Sequence, residues 1–225
     1  MTELHAFYHC YADGEWKLPT EDYLRALLDH GMYEQLTSLN IGFMGCRDNV
    51  ERVETYLRSM PITYNVVAIS PDLWEQATLI PLWEWCQSHD GYVSYAHSKG
   101  AGFNKEISLP WRRSMLYYNI VRWQTAVQAL DGGKKIAGCH WLNAEPSITN
   151  KEWGYSGMFG GNFWWAKADL LRQNVRPTLR SRLDAEHWIG QLSEVMDLSS
   201  SYIEDFNGRE IANPQSHVTP DWLAP

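Results

Sequence analysis

"YNVVAISPDLWEQATLIPLWEWCQSHDGYVSYAHSKG", Tyr64 to Gly100, decides the fold. It opens on a β-branched apolar run, Tyr64 to Ile69, which reads as a strand. Asp72 can then cap a helix that continues to about Ser88, and Tyr92 to Ala96 forms a second apolar strand. Continuously apolar strands separated by helices imply a largely parallel sheet covered on both faces.

The same alternation extends outward in both directions. Leu4 to Cys10 reads as a strand, and Pro19, Thr20 and Glu21 open a helix that runs to about His30 and stops at Gly31. Ser38 to Met44 is a second strand and Val50 to Ser59 a second helix. After Gly100, "WRRSMLYYNIVRWQTAVQAL" carries apolar residues at three- and four-residue spacing, which predicts one long helix from Pro110 to Leu130. Lys135 to Leu142 reads as a strand, and "SGMFGGNFWWAKADLLRQN" as a glycine-hinged turn, an aromatic strand and a helix. The predicted class is α/β: a mixed, mostly parallel sheet flanked by helices, in a single domain over residues 1–195. Residues 196–225, Ser-rich and then Pro-rich, read as a C-terminal extension with a short helix at most.

Composition narrows the function classes. The net charge of −8 argues against a broad electrostatic grip on nucleic acid, which needs clustered Lys and Arg to displace counterions. No run approaches the ~20 apolar residues of a membrane span, and the first residues lack a secretion-signal pattern, so the expected location is the cytoplasm. Cys10, Cys46, Cys86 and Cys139 are scattered without a CxxC pair, which predicts buried free thiols rather than a zinc site or disulfides. The 12 Trp and 12 Tyr can serve a core or can form platforms for sugar rings and nucleobases. In sheets of this kind ligands sit beyond the carboxyl ends of the strands, where strand order reverses. His9, Gly45, Ser70 and His97 fall at such ends.

Five stretches in order, "HSKG", "LPWRRSMLYYNIVRW", "GCHWL", "GGNFWWAKADLL" and "RLDAEHWI", resemble motifs of bacterial and phage glycosyltransferase-like proteins of GT-A type. Among these motifs are an HTKG strand end and an SGNFWWA segment, and the likeness, which includes "LDHGMYEQLTSLNIGFMG", covers roughly residues 4 to 192. The resemblance implies a GT-A-like, Rossmann-like fold and a hexosyltransferase-like enzyme moving a sugar from a nucleotide-sugar donor to an acceptor hydroxyl. In the wider GT-A group the fourth strand ends in Asp-x-Asp, which holds a divalent metal against the diphosphate; here His97 and Lys99 stand in those places. An ammonium and a protonated imidazole can offset the charge of the departing diphosphate, and two bases repel a divalent cation, so the expectation is transfer without a metal or other cofactor. Ser98 between them should face the opposite way.

By the same resemblance, Glu186 is the base of an inverting transfer, with His187 beside it and Asp184 a further candidate. His9, Tyr11, Glu75, Thr78 and Arg112 are expected at the donor. Gly161, Asn162, Trp164 and His187 are expected at the acceptor, with one of Trp164 and Trp165 facing the core. Acceptors to weigh are a glycan, a small molecule, or a modified base in phage DNA served by Arg112, Arg113, Arg122, Lys134 and Lys135. Loss of Asp-x-Asp equally suits a noncatalytic module that binds nucleotide sugars or carbohydrate.

Overall fold

The computed structural model describes residues 2–102, 105–143, 157–178, 182–192 and 194–199. Strand β1 (Leu4–Tyr11), helix α1 (Lys17–Asp29), β2 (Ser38–Met44), α2 (Arg47–Arg58), β3 (Asn65–Ser70), α3 (Gln76–Cys86) and β4 (Tyr92–His97) follow the predicted alternation. Gly31 at φ 67° ends the α1 segment, a conformation that costs glycine little. The turn before α3 is fastened by Ser70, whose Oγ accepts the N–H groups of Asp72 and Leu73, and the helix itself begins later, at Gln76, with no side-chain cap, so Asp72 does not cap it.

Helices α4 (Lys105–Leu116) and α5 (Trp123–Asp131) replace the single helix expected from Pro110 to Leu130. Between them the backbone makes a π-helical turn, Tyr117–Val121. Asn119 is the cause: its side chain donates to the Met115 carbonyl, while its own carbonyl accepts the indole N–H of Trp165 at 2.9 Å. The expected strand from Lys135 to Leu142 is likewise two strands, β5 (Ile136–Gly138) and β6 (Trp141–Asn143), divided at His140, whose φ of 62° cannot continue an extended chain. Strands β7 (Gly157–Phe159) and β8 (Trp164–Lys167), helices α6 (Ala168–Leu171) and α7 (Leu183–His187), and strand β9 (Val195–Asp197) complete the order. β9 straddles the boundary drawn at residue 195, and residues 200–225 lie outside the described residues.

The main sheet has the order β3-β2-β1-β4-β8-β5-β9, and β6 pairs with β7 in a separate ribbon. β1 is parallel to both β2 and β4, and β2 to β3; β8 runs antiparallel to β4 and β5. This is the mixed, mostly parallel Rossmann-like sheet that the sequence predicts. After β3 the chain crosses β1 and returns on its other side, so the order reverses between β1 and β4.

Alternate residues divide between two core layers. Tyr8, Leu24, Leu27, Ile41, Val53, Ile120 and Trp165 pack on one face. Phe7, Leu79, Leu82, Tyr95, Trp164 and Ile189 pack on the other. Gly42 permits the closest approach: a Cβ there would lie 2.1 Å from Thr78 Oγ1, so α3 rests directly on the β2 backbone. Cys10, Cys86 and Cys139 are buried as expected, whereas Cys46 is exposed because it precedes α2 at the surface. Among the described residues no helix is long and apolar enough to cross a membrane.

Candidate functional site

The reversal point opens into a cleft of about 220 Å³. His9, Tyr11, His97, Ser98, Lys99 and Gly100, from the carboxyl ends of β1 and β4, line one part; Met44, Trp74, Glu75 and Arg182 line the rest. The His97–Gly100 turn is held from several directions. Ser98 donates its N–H to the His9 carbonyl and accepts the Tyr11 N–H on Oγ at 2.8 Å, so its side chain ties back to β1. The Lys99 carbonyl accepts from Arg112 at 3.0 Å. The Lys99 ammonium lies 3.9 Å from the centre of the Trp111 ring, a cation–π contact that fixes it over the cleft. Burial lowers the Lys99 pKa, and the negative charges of Glu186 and Glu75 oppose that shift. Arg182, stacked 5.6 Å over the Trp74 ring, supplies a second cation at the rim.

His97 differs from the expected imidazolium. Burial, followed by the charge of Lys99, lowers its pKa to about 3, so the ring is neutral near pH 7. Its Nε2 stands 2.8 Å from the Gly161 carbonyl, an atom that can only accept, so Nε2 carries the hydrogen. Nδ1 stands 3.7 Å from Glu75 Oε1, which would be an ion pair only with the ring protonated, and burial together with the Lys99 charge keeps it neutral. His9 is also neutral: burial brings it to about 4, and its Nδ1 shares a 2.9 Å hydrogen bond with Thr78.

Several expected ligand contacts are instead structural. Thr78 is fully buried beneath His9. Arg112 is buried and grips Asp22 through Nε and Nη2 at 2.9 and 2.7 Å, so its charge is spent inside the fold rather than on a phosphate. Gly161 gives its carbonyl to His97, and a Cβ there would meet Met115 Sδ at 2.4 Å. Asn162, fully buried at φ 59°, donates to Glu75 Oε2 and to the Ala185 carbonyl and accepts from the Trp164 indole, leaving its amide nothing for a sugar. Trp164 and Trp165 are both wholly buried, one in each core layer, so neither forms an acceptor platform. Asp184 accepts from Thr178 at 2.8 Å. Glu186 and His187 sit on α7; neither is among the cleft-lining residues, although the Glu186 charge acts on Lys99 and His97, and burial lowers the His187 pKa.

Glu75 is the hub that joins these parts. Its Oε2 accepts the Tyr95 hydroxyl at 2.9 Å and the Asn162 amide at 2.7 Å, which explains why an acidic side chain is tolerated at 8% exposure. Trp74, Met44 and Arg182 were not foreseen. A signal for Trp74 exists in "PDLWEQ", a large aromatic at the strand-to-helix turn beside an expected ligand end.

No family model matches the chain, and no curated protein matches it. Among solved structures, 4-diphosphocytidyl-2C-methyl-D-erythritol synthase from Anaerococcus prevotii DSM 20548 is similar at 8% identity and a TM-score of 0.46, over 87% of this chain and 88% of that one. S. aureus TarS 1-349 is similar at 11% identity and a TM-score of 0.44, over 88% of this chain and 58% of that one. Similarity this distant carries no function across.

Proposed function

We propose that the chain is a glycosyltransferase of GT-A type whose cleft takes a nucleotide sugar and transfers the sugar to an acceptor hydroxyl with inversion and without a divalent metal. The observation that supports this most is Lys99: a cation fixed by the Trp111 ring and two backbone anchors, at the carboxyl end of β4, where the strand order reverses. A leaving diphosphate gains charge as the anomeric C–O bond breaks, and a cation already in position stabilises that charge without reorganising. Arg182 is the second cation, in the place given by the sequence reading to His97, which is neutral. Tyr11 and Met44 offer the base a flat, apolar wall. The acceptor oxygen attacks the anomeric carbon as the bond to the diphosphate breaks, and its proton passes to Glu186, whose charge acts on Lys99 and His97 in the cleft.

The test is release of nucleoside diphosphate from a panel of nucleotide sugars in excess chelator. Glu186→Gln should abolish release while leaving donor binding unchanged. Lys99→Met, which keeps the packing on Trp111, should weaken donor binding by about tenfold or more. Turnover that requires Mn²⁺ overturns the metal-free reading.

One set of observations favours the noncatalytic alternative: the residues expected at the acceptor, Gly161, Asn162 and Trp164, are closed off inside the fold. Donor binding without release, across glycan and small-molecule acceptors, would select it.

A further inference from the structure

Two lone pairs face each other in the cleft. Both donors that reach Glu75, from Tyr95 and Asn162, arrive on Oε2, and Oε1 has no hydrogen-bond donor among the described residues. His97 Nδ1 lies 3.7 Å from Oε1. That nitrogen carries no hydrogen, because the ring's hydrogen is spent from Nε2 on the Gly161 carbonyl. A carboxylate oxygen and an imidazole lone pair thus sit side by side in side chains 8% and 11% exposed, and both residues line the cleft. Two acceptors left open at the wall of a cleft are a ready match for donors carried by a ligand.

We propose that Glu75 Oε1 and His97 Nδ1 form a paired acceptor site for adjacent hydroxyl groups of a sugar ring on the ligand. The proposal rests on the reading that the cleft takes a nucleotide sugar. Each of two neighbouring hydroxyls donates its hydrogen to one acceptor and keeps lone pairs for Lys99. An ammonium would also satisfy two acceptors, but Lys99 and Arg182 already line the same cleft and repel a further cation. A metal ion needs more ligands, and among the described residues no group of three His, Cys, Asp or Glu side chains is arranged to hold one. The surroundings keep the pair as acceptors: Asn162, Tyr95 and Gly161, from three different segments, fix which oxygen and which nitrogen are left over. The hydroxyls can belong to the ribose or to the transferred sugar, and ligand choice separates the two.

Glu75→Gln tests the pair sharply. The new amide oxygen can still accept from Tyr95 and Asn162, while its N–H group fills His97 Nδ1 from within. The variant should melt at or above the wild-type temperature and yet lose recognition. Isothermal titration would compare ribonucleoside diphosphates, their 2′- and 3′-deoxy forms, and the corresponding nucleotide sugars. If ribose is the source, wild type prefers the ribo form over the deoxy forms by about tenfold or more, and Glu75→Gln erases the preference. If the transferred sugar is the source, the preference of wild type for nucleotide sugar over nucleoside diphosphate disappears in the variant, and the deoxy forms bind as the ribo forms do. Preferences that persist unchanged in Glu75→Gln overturn the proposal. Should that variant not fold, wild type alone decides: equal affinity for ribo, deoxy and sugar-bearing ligands overturns it. Binding of these ligands without hydroxyl dependence leaves the transferase reading standing and removes only this inference. No binding of any nucleotide or nucleotide sugar removes both.

Discussion

At the scale of single residues, charge was the hardest property to read. The sequence gives His97 and Lys99 as neighbours at a strand end, and both do line the cleft. What it cannot give is the burial of His97 by Gly161 and Phe163, more than sixty positions away, and that burial decides whether the ring is charged. Asn162 was misread for the same reason: a ligand-facing amide and an amide spent on a buried carboxylate look alike until Glu75 is known to lie beside it. The sign of the resulting pH effect follows directly. A histidine whose folded pKa lies below its unfolded value takes up protons preferentially in the unfolded chain. Stability from His97 and His9 is therefore fully present above about pH 6.5 and is lost as pH falls toward about 3 and about 4, their folded values. The measurement is proton NMR of the imidazole rings between about pH 7 and about pH 5. Both rings should hold the chemical shifts of the neutral form throughout, and a midpoint near 6.5 for either would refute the assignment. Diphosphate binding beside His97 should move its midpoint upward, since an anion favours the protonated ring.

At the scale of elements, β1, β2 and β4 were legible because a strand buried on both faces is written as an unbroken apolar run, whereas β3, equally apolar in sequence, is an edge strand with Val66 and Ile69 exposed. The interruptions were not legible. Asn119 turns one helix into two through bonds to Met115 and Trp165, and His140 divides a strand by its left-handed backbone; neither residue type announces this in isolation. The loop after β4 shows how elements cooperate to place the Lys99 side chain at the cleft. α1 contributes Asp22 and α4 contributes Arg112, and their buried pair carries the hydrogen bond that holds the Lys99 carbonyl. Asp22→Ala would leave the Arg112 guanidinium, 4% exposed, without its counter-charge. The expected cost is about 1–3 kcal/mol of stability by urea denaturation, because Asp22 is partly exposed and Arg112 keeps its bond to the Lys99 carbonyl. Donor affinity should fall with it, because the turn that presents Lys99 loses an anchor. A loss below about 0.5 kcal/mol would show the pair to be a surface contact instead.

At the scale of the molecule, charge distribution decides between acceptors. The net charge of −8 sets a repulsive background for any polyanion, so a DNA acceptor needs a local basic face to overcome it. One of the residues that would build that face cannot contribute to it: Arg112 is buried against Asp22, which leaves Arg113, Arg122, Lys134 and Lys135, and Lys135 is also paired with Glu194 at 3.8 Å. The cleft itself is lined by two cations, Lys99 and Arg182. Duplex DNA should therefore bind only weakly at about 0.15 M salt, and its affinity should fall with salt along a shallow slope of about −1 to −2 on logarithmic axes, as one or two phosphate contacts require. Fluorescence anisotropy of a labelled duplex over a salt series measures that slope. A value near −6 would demand a basic surface beyond the cleft and would favour modified DNA as the acceptor. A shallow slope, with nucleoside diphosphates binding in the same buffer, leaves glycans and small molecules as the acceptors to screen.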